Sequence, residues 1–333
     1  MVSHVLIFLG ALICALILQW GLLTLVARPK LLAMPNQRSS HRRPTPTMGG
    51  VVAVLMVLVF CVSLAQTDTV LGWGLFAGLV GVAGIGLWDD LQPLPGTVRL
   101  LVHILSSTAV LFALQTQWPQ PLTGPIAAVA VFFLVWSTNL YNFMDGIDGY
   151  AALQCLSFCL GVQMIGLGVP GWAGDLVWLL SGAALGFLAF NWPPAKIFMG
   201  DVGSGFLGLV IGLLVLHLWQ TDIVPLSVSL ILLATFWFDA SYTLFVRLVT
   251  GQRVTQAHRL HLYQWLAMRR GHLYTNAVFL VFSVFWLMPL AWWAFPASRT
   301  ALMSSAAIVL AILPMLFACW RFKVGLPAGE DVA

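Results

Sequence analysis

Long apolar runs follow one another along the whole of this chain, separated by short polar links. A run of about 20 apolar residues is long enough to cross the ~30 Å hydrocarbon core of a bilayer as a helix. Hydrophobic residue types make up 60% of the chain and charged residues only 8%, where soluble domains carry roughly 25% charge. So few charges cannot coat a soluble globule of 333 residues. A soluble enzyme, a disordered regulator and a nucleic-acid-binding domain are therefore excluded. A β-barrel needs ~10-residue strands of alternating polarity, and the runs here are continuous and longer. The chain is expected to be an all-α integral membrane protein, a single multi-span domain over 1–333.

Hydropathy predicts eleven spans, at 5–27, 49–65, 70–88, 99–116, 124–138, 150–169, 175–191, 203–219, 223–245, 273–294 and 300–320. The first is too long for a signal-peptide core and reads as a retained helix. Alternating the loops places every Lys and Arg except Arg299 on one side, fourteen of the fifteen. Cytoplasmic loops concentrate positive charge, so the N-terminus is expected outside and the C-terminus in the cytoplasm. The five cysteines all fall inside apolar runs, which points to packing and not to disulfides or a metal.

The same side collects the informative acids. Asp89 and Asp90 end the third span, Asp145 and Asp148 lie between the fifth and sixth, and Asp201 lies between the seventh and eighth. Asp68, Asp175 and Asp222 fall in short outer links and read as solvated. Asp239 lies within the ninth span, where a carboxylate is costly without a partner, and is expected to face a polar cleft. Residues 139–149 put Asn139, Asn142, Asp145 and Asp148 in one short segment; if helical, Asn142, Asp145 and Asp148 share a side. A glycine-rich turn at Met199–Gly205 opens the eighth span, offering free N–H groups to an anion beside Asp201. Basic loops supply the opposite charge, at Ser39–Gly50 with Arg42 and at His258–Gln264 with Arg259 and His261. Carboxylates, histidines and arginines on one face suit a phosphate substrate bridged by Mg²⁺. His4, His103, His217 and His272 have no motif around them and read as structural or incidental.

In these residues the chain resembles the polyprenyl-phosphate N-acetylaminosugar-1-phosphate transferases, the superfamily containing MraY and WecA. Five motifs stand in that family's order: Arg38–His41 through Pro46–Gly50, Asp89-Asp90, Asn139–Gly149, Lys196–Ser204 and His258–Gln264. The resemblance implies transfer of a sugar-1-phosphate from a UDP-linked N-acetylaminosugar to undecaprenyl phosphate, with release of UMP. It implies Mg²⁺, or Mn²⁺ in its place, held by Asp201 with Asp89. It assigns Asp89, Asp90, Asp145 and Asn142 to the reaction centre and Asp148, Phe198 and Asn139 to the nucleotide. Arg259, His261 and Arg42 are implied as phosphate contacts. WecA-like proteins have an Asp where His258 stands and a His pair where Tyr263 and Gln264 stand, so these three positions inherit no role. The His-Leu-Tyr-Gln form is closer to the WbpL-like branch, which starts O-antigen chains on a deoxy aminosugar such as N-acetylfucosamine.

The expected active-site face is made of loops 28–48, 89–98, 139–149, 192–202 and 247–272, at the cytoplasmic side of the bacterial inner membrane. The expected partners are the two substrates and membrane lipid, with no nucleic acid. A homodimer is compatible with the chain, although apolar surface in a membrane does not report such contacts. A secondary transporter is the competing class. Its marks are paired acids at the midplane, broken helices and two related halves; only Asp239 lies deep, and no halves are visible. A catalytically inactive scaffold is the third reading, against which the complete set of acids argues.

Overall fold

The computed structural model describes residues 2–26, 32–33, 44–165, 168–253, 258–295 and 300–326. Arg42, with the Arg38–His41 motif, lies outside the described residues. Each predicted apolar run becomes helix. The first seven are α1 (Val2–Val26), α2 (Val51–Leu64), α3 (Thr69–Leu91), α4 (Gly96–Leu114), α5 (Gly124–Met144), α6 (Tyr150–Ile165) and α7 (Gly171–Asn191). Then follow α8 (Asp201–Gln220), α9 (Leu226–Leu232), α10 (Ala234–Val249), α11 (Leu262–Arg270), α12 (His272–Phe282), α13 (Met288–Ala294) and α14 (Ala301–Arg321). A five-residue π-helical turn, Ser283–Leu287, joins α12 to α13 in one span.

Among the described residues, eight helices are long and apolar enough to cross a membrane, or nine if the bent pair α9–α10 is one span. The predicted spans at 49–65 and 150–169 fold as helices of 14 and 16 residues. At 1.5 Å per residue these reach roughly 21 and 24 Å, short of the ~30 Å core. The expected ninth span is not one straight helix, because α9 and α10 meet at 80° across Leu233. No proline or glycine lies between Leu226 and Val249 to announce that break.

Helix α8 is the axis of the bundle, buried along nearly its whole length. Its glycines let neighbouring backbones approach closely, as membrane helices require. A Cβ at Gly208 would meet the backbone of Ser137 and Thr138 on α5 at 2.6–2.8 Å, and Ser137 Oγ donates to Gly208 O at 2.7 Å. The N-terminus of α8 is equally crowded: a Cβ at Gly50 would sit 2.3 Å from Gly203 Cα. Ahead of α2, β2 (Thr45–Pro46) pairs antiparallel with β1 (Leu32–Ala33). The segment then runs against the strand-like stretch before α8. Phe198 N–H donates to Pro46 O, and Gly49 and Gly50 N–H donate to Phe198 O and Met199 O, each at 2.8 Å. This ladder brings the Pro-Thr-Pro-Thr motif and the Phe-Met-Gly-Asp motif together, although they lie some 150 residues apart in the chain.

Candidate active site

The acids converge where α3 ends, α5 ends and α8 begins. Asp90, in the last turn of α3, accepts the N–H groups of Asp201 and Val202 at 2.9 and 3.0 Å. It thereby satisfies two of the donors that open α8 and staples one helix end to the next. Gly200 makes the approach possible. Its φ is +77°, and a Cβ there would lie 2.6 Å from Asp90 Oδ2.

Asp89 points to the other side of the staple. Its Oδ1 accepts Leu94 N–H at 2.6 Å, and its Oδ2 is 2.6 Å from Arg99 Nη1. The same Arg99 nitrogen lies 3.4 Å from Asp201 Oδ2, so one cationic group spans Asp89 and Asp201. Asn142, on α5, donates to Ser204 Oγ at 2.9 Å, and that hydroxyl donates to Gly200 O at 3.1 Å.

Helix α5 runs to Met144, six residues beyond the predicted end of its span, so Asn139 and Asn142 are helical and not loop residues. The helix stops there: Asp145 is its C-cap, with φ −83° and ψ 47°. The single helical face expected for Asn142, Asp145 and Asp148 is therefore replaced by a helix end and a turn. The turn closes with Gly149 at φ +79°. Burial, then the charges of Asp201, Asp90 and Asp148, push the Asp145 carboxyl well above its ordinary value of 3.8.

Asp148 is held from four directions. Its Oδ2 accepts Ala195 N–H at 3.0 Å and lies 3.2 Å from His272 Nδ1. Its backbone N–H meets the same Nδ1 at 3.3 Å, and its carbonyl accepts from Asn276 Nδ2 at 2.8 Å. The next N–H, of Gly149, donates to Asn191 Oδ1 at 2.8 Å. Asp90, Asn142, Asp145, Asp148, Phe198 and Asp201 line one cavity of about 250 Å³, with Thr47, Asn191 and Ser204.

Four expected site residues do not line this cavity: Asp89, which faces Arg99, and Asn139, His261 and Arg259. Asn139 does not line this cavity; its amide meets His103 Nδ1 on α4 at 3.3 Å and donates to Val135 O at 2.7 Å. His261 is 2% exposed and packs against Asp239 and the ring of Tyr263. Arg259, half-buried, belongs to the same folded-down loop. The expectation for Asp239 is corrected. It is fully buried and faces no cleft, accepting Leu262 and Tyr263 N–H at 2.9 and 3.1 Å as the cap of α11. Tyr263 and Gln264 acquire structural roles: Tyr263 OH donates to Phe143 O at 2.9 Å, and Gln264 Oε1 accepts His261 N–H at 3.4 Å. His272, expected to be incidental, contacts Asp148. Arg99 appeared in the sequence only as one more positive-side charge. Neither has a local motif to mark it: Arg99 reaches Asp201 across 102 residues and His272 reaches Asp148 across 124.

The donor set fits Mg²⁺. Among the described residues, no three His, Cys, Asp or Glu side chains are grouped closely enough to hold a metal by themselves. Mg²⁺ is commonly held by one or two carboxylates, with substrate phosphates and water completing its shell. Asp89 and Asp201 are already bridged by one cation, Arg99.

The chain is also similar to known proteins. Residues 72–219 match the family model for glycosyl transferase family 4. The chain is 29% identical to the decaprenyl-phosphate N-acetylglucosaminephosphotransferase of Mycolicibacterium smegmatis, over 87% of this chain and 82% of that protein. It is 27% identical to the Bacillus subtilis protein named probable undecaprenyl-phosphate N-acetylglucosaminyl 1-phosphate transferase, over 80% of this chain and 78% of that one. The phospho-N-acetylmuramoyl-pentapeptide-transferase of Aquifex aeolicus is 31% identical over 50% of this chain and 56% of its own. With its acidic motifs gathered between α3, α5 and α8, the chain is similar, over residues 72–219, to glycosyl transferase family 4 and, over most of its length, to polyprenyl-phosphate N-acetylaminosugar-1-phosphate transferases.

Proposed function

We propose that this protein transfers an N-acetylated aminosugar-1-phosphate from a UDP-sugar to undecaprenyl phosphate and releases UMP. The product is the lipid-linked first sugar of an O-antigen or related surface glycan, the sugar being a deoxy aminosugar by the WbpL-like form of the His258–Gln264 loop. The observation that carries this reading is the meeting of three separate acidic motifs and Phe198 around one cavity at helix ends. Eleven passes, with fourteen of fifteen basic residues on one side, would turn this cavity to the cytoplasm, where UDP-sugars are found.

A lipid phosphate oxygen attacks the β-phosphorus of the UDP-sugar. The bond from that phosphorus to the bridging oxygen breaks, and UMP leaves with the electron pair. Mg²⁺, or Mn²⁺ in its place, would be held by Asp201 and Asp89 and would offset the charge gathering on the departing UMP. Arg99, which bridges those carboxylates, would serve as a charge-assisted donor to a phosphate oxygen. Asp145, which lines the cavity, would receive a proton from the lipid phosphate. Help of that kind is modest, because the second pKa of a phosphate is ~6. Phe198 offers an aromatic surface and Asp148 a hydrogen-bond acceptor to the uracil. For Arg259 and His261 to reach a phosphate, the His258–Gln264 loop must lift from its seat on Asp239; Arg42 is the third proposed phosphate contact. An apolar groove of about 560 Å³ begins at Tyr274, two residues along α12 from His272, and offers the polyprenyl tail a surface.

Direct attack is favoured over an aspartyl-phosphate route because it needs fewer steps; exchange of labelled UMP into UDP-sugar without lipid would overturn that preference. The function is tested by supplying purified protein, undecaprenyl phosphate and Mg²⁺ with a panel of UDP-N-acetylaminosugars. UMP release with one donor, lost in Asp201→Asn, is the expected result. No UMP from any donor, with the protein folded, would remove the proposal in favour of a scaffold or transport role.

A further inference from the structure

We propose that Gln154 is a positioning residue for the reaction: its side-chain amide takes the place of a helix hydrogen bond at the break between α9 and α10, and so sets where Asp239 seats the His258–Gln264 loop beside Asp145. Sharp kinks in helices arise at proline, at glycine, at π-bulges, or where a side chain inserts into the hydrogen-bond ladder. Neither proline nor glycine lies between Leu226 and Val249, but the ladder is interrupted. Phe236 N–H, which would bond Leu232 O in an unbroken helix, donates to Leu233 O at 3.1 Å instead. The carbonyl left over is taken by α6: Gln154 Nε2 donates to Leu232 O at 3.0 Å. Gln154 Oε1 accepts the hydroxyl of Thr235, on the other side of the break. One amide therefore grips the last turn of α9 and the first turn of α10. Gln154 and Thr235 are both buried, so water does not compete for either bond. A freed carbonyl at membrane depth persists where a neighbouring helix supplies its partner, and here that partner is a single side chain. Further along the same face of α6, Gly161 leaves room for the Leu232 side chain, since a Cβ there would lie 2.7 Å from Leu232 Cδ2.

The angle of the break decides where α10 carries its side chains. Asp239, one helical turn beyond Thr235, accepts the Leu262 and Tyr263 N–H groups and so holds the start of α11. Tyr263 OH donates to Phe143 O at 2.9 Å, just ahead of Asp145 in the chain. Tyr150, one turn before Gln154 on α6, fills the space between, its ring centroid 4.7 Å from that of Phe236 and 5.1 Å from that of Tyr263. Hydrogen bonds and packed rings thus run from the break to the turn that carries Asp145. Gln154 itself lines no part of the acidic cavity; it acts through α10 and the loop. Its part in the reaction rests on the reading of Asp145 and of that loop given above, whereas its part in the bend does not.

The test reads the bend and the reaction separately, in the full-length protein in detergent. Nitroxide labels report the bend as distances from Val249→Cys, at the far end of α10, to Leu105→Cys on α4 and to Trp20→Cys on α1. All three positions are exposed, and Cys14→Ser removes the exposed native thiol. Helix α10 has 16 residues and is about 24 Å long, so turning it by about 10° moves its far end by about 4 Å. Gln154→Met keeps the length of the side chain and removes both hydrogen bonds. At least one of the two distances should then shift or broaden by about 4 Å. UMP release by the unlabelled variant should fall by about 100-fold, the scale of an ångström's misplacement at a reacting centre. Thr235→Val leaves the contact to Leu232 O in place and should leave both distances where they are. Should Gln154→Met fail to fold, Gln154→Asn, whose amide falls one methylene short of both partners, carries the same expectation. Two unmoved distances overturn the proposal. Equal shifts in Gln154→Met and Thr235→Val overturn it as well, because general loosening between α6 and α10 would then set the angle. Shifted distances with unchanged UMP release overturn the role in the reaction. Wild-type protein that releases no UMP from any donor overturns the transferase reading and that role with it, while the distances still decide the bend.

Discussion

Asp90 and Asp239 use the same device at opposite fates. Each is a carboxylate near a membrane helix, and each accepts two successive backbone N–H groups at the start of another helix: Asp201 and Val202 for Asp90, Leu262 and Tyr263 for Asp239. The pairing satisfies donors that have no partner inside their own helix and places negative charge at the positive end of the dipole. What differs is the surroundings. Asp90 borders a cavity with three more carboxylates, and the helix it caps begins with one of them, Asp201. Asp239 is sealed among apolar side chains, with its remaining contacts to Thr243 Oγ1 at 3.2 Å and His261 Nδ1 at 3.6 Å. Capping geometry alone therefore does not mark a catalytic acid. What sets Asp90 apart is its proximity to other acids.

The largest effect expected from that contrast lies with Asp201. The staple uses the Asp201 backbone, so Asp201→Asn leaves both hydrogen bonds to Asp90 in place while removing one charge from the cavity. Turnover, measured as UMP release, should fall by about 10³, the scale of losing a main electrostatic contact in the transition state, with no fall in melting temperature. Equal losses in turnover and stability would erase the distinction between the cap and the acid it holds.

Next in size is Asp239. Asp239→Ala leaves two buried N–H groups unpaired, at a cost of about 3 kcal/mol. The expected signs are a lower melting temperature and faster proteolysis between 251 and 271, ahead of any change in metal dependence. Loss of UMP release with unchanged melting would instead place Asp239 in the reaction.

The division between what was legible and what was not follows the same line. The helices were written in the apolar runs, and the cavity acids were written in their positions at run ends, because a charged residue has few other places to stand in such a chain. The 80° break at Leu233 was not legible, since neither proline nor glycine marks it. Nor were the partners of Asp239 and His272, which lie 23 and 124 residues away. Asn139 shows the converse. It stands three residues from Asn142 in a dense motif, yet faces His103 on α4 and not the cavity. A motif gives the residues; only packing decides which of them turn inward.

Asp145 sharpens the comparison through pH. Its carboxyl is pushed up by burial and by Asp201, Asp90 and Asp148, so the folded protein holds that proton more tightly than the unfolded chain. The stability this contributes is fully present below the ordinary value of 3.8 and is lost as pH rises through the elevated folded value. At neutral pH, without a divalent cation, Asp145→Asn should therefore melt higher than wild type, on the order of 3 °C, while losing turnover. The gap should close as pH is lowered toward the ordinary carboxylate range. A variant that melts lower than wild type at neutral pH would mean that the cavity charges are already balanced.

The smallest effect concerns Arg99, whose guanidinium stands between Asp89 and Asp201 where a divalent cation would be held. A cation that must displace another binds more weakly than it would to free carboxylates. Arg99→Gln keeps much of the length and loses the charge, so half-saturation by Mg²⁺ should fall, by about threefold, the ~0.7 kcal/mol scale of a half-exposed ion pair. Turnover at saturating Mg²⁺ should fall too, if the displaced guanidinium is what pairs with the substrate phosphate. The two readouts separate the roles. A lower Mg²⁺ requirement with turnover unchanged makes Arg99 a placeholder for the metal and nothing more. An unchanged requirement means that the arginine leaves the carboxylates without competing for them, and the balance of charge in the cavity must then be set by Asp145 and Asp90 alone.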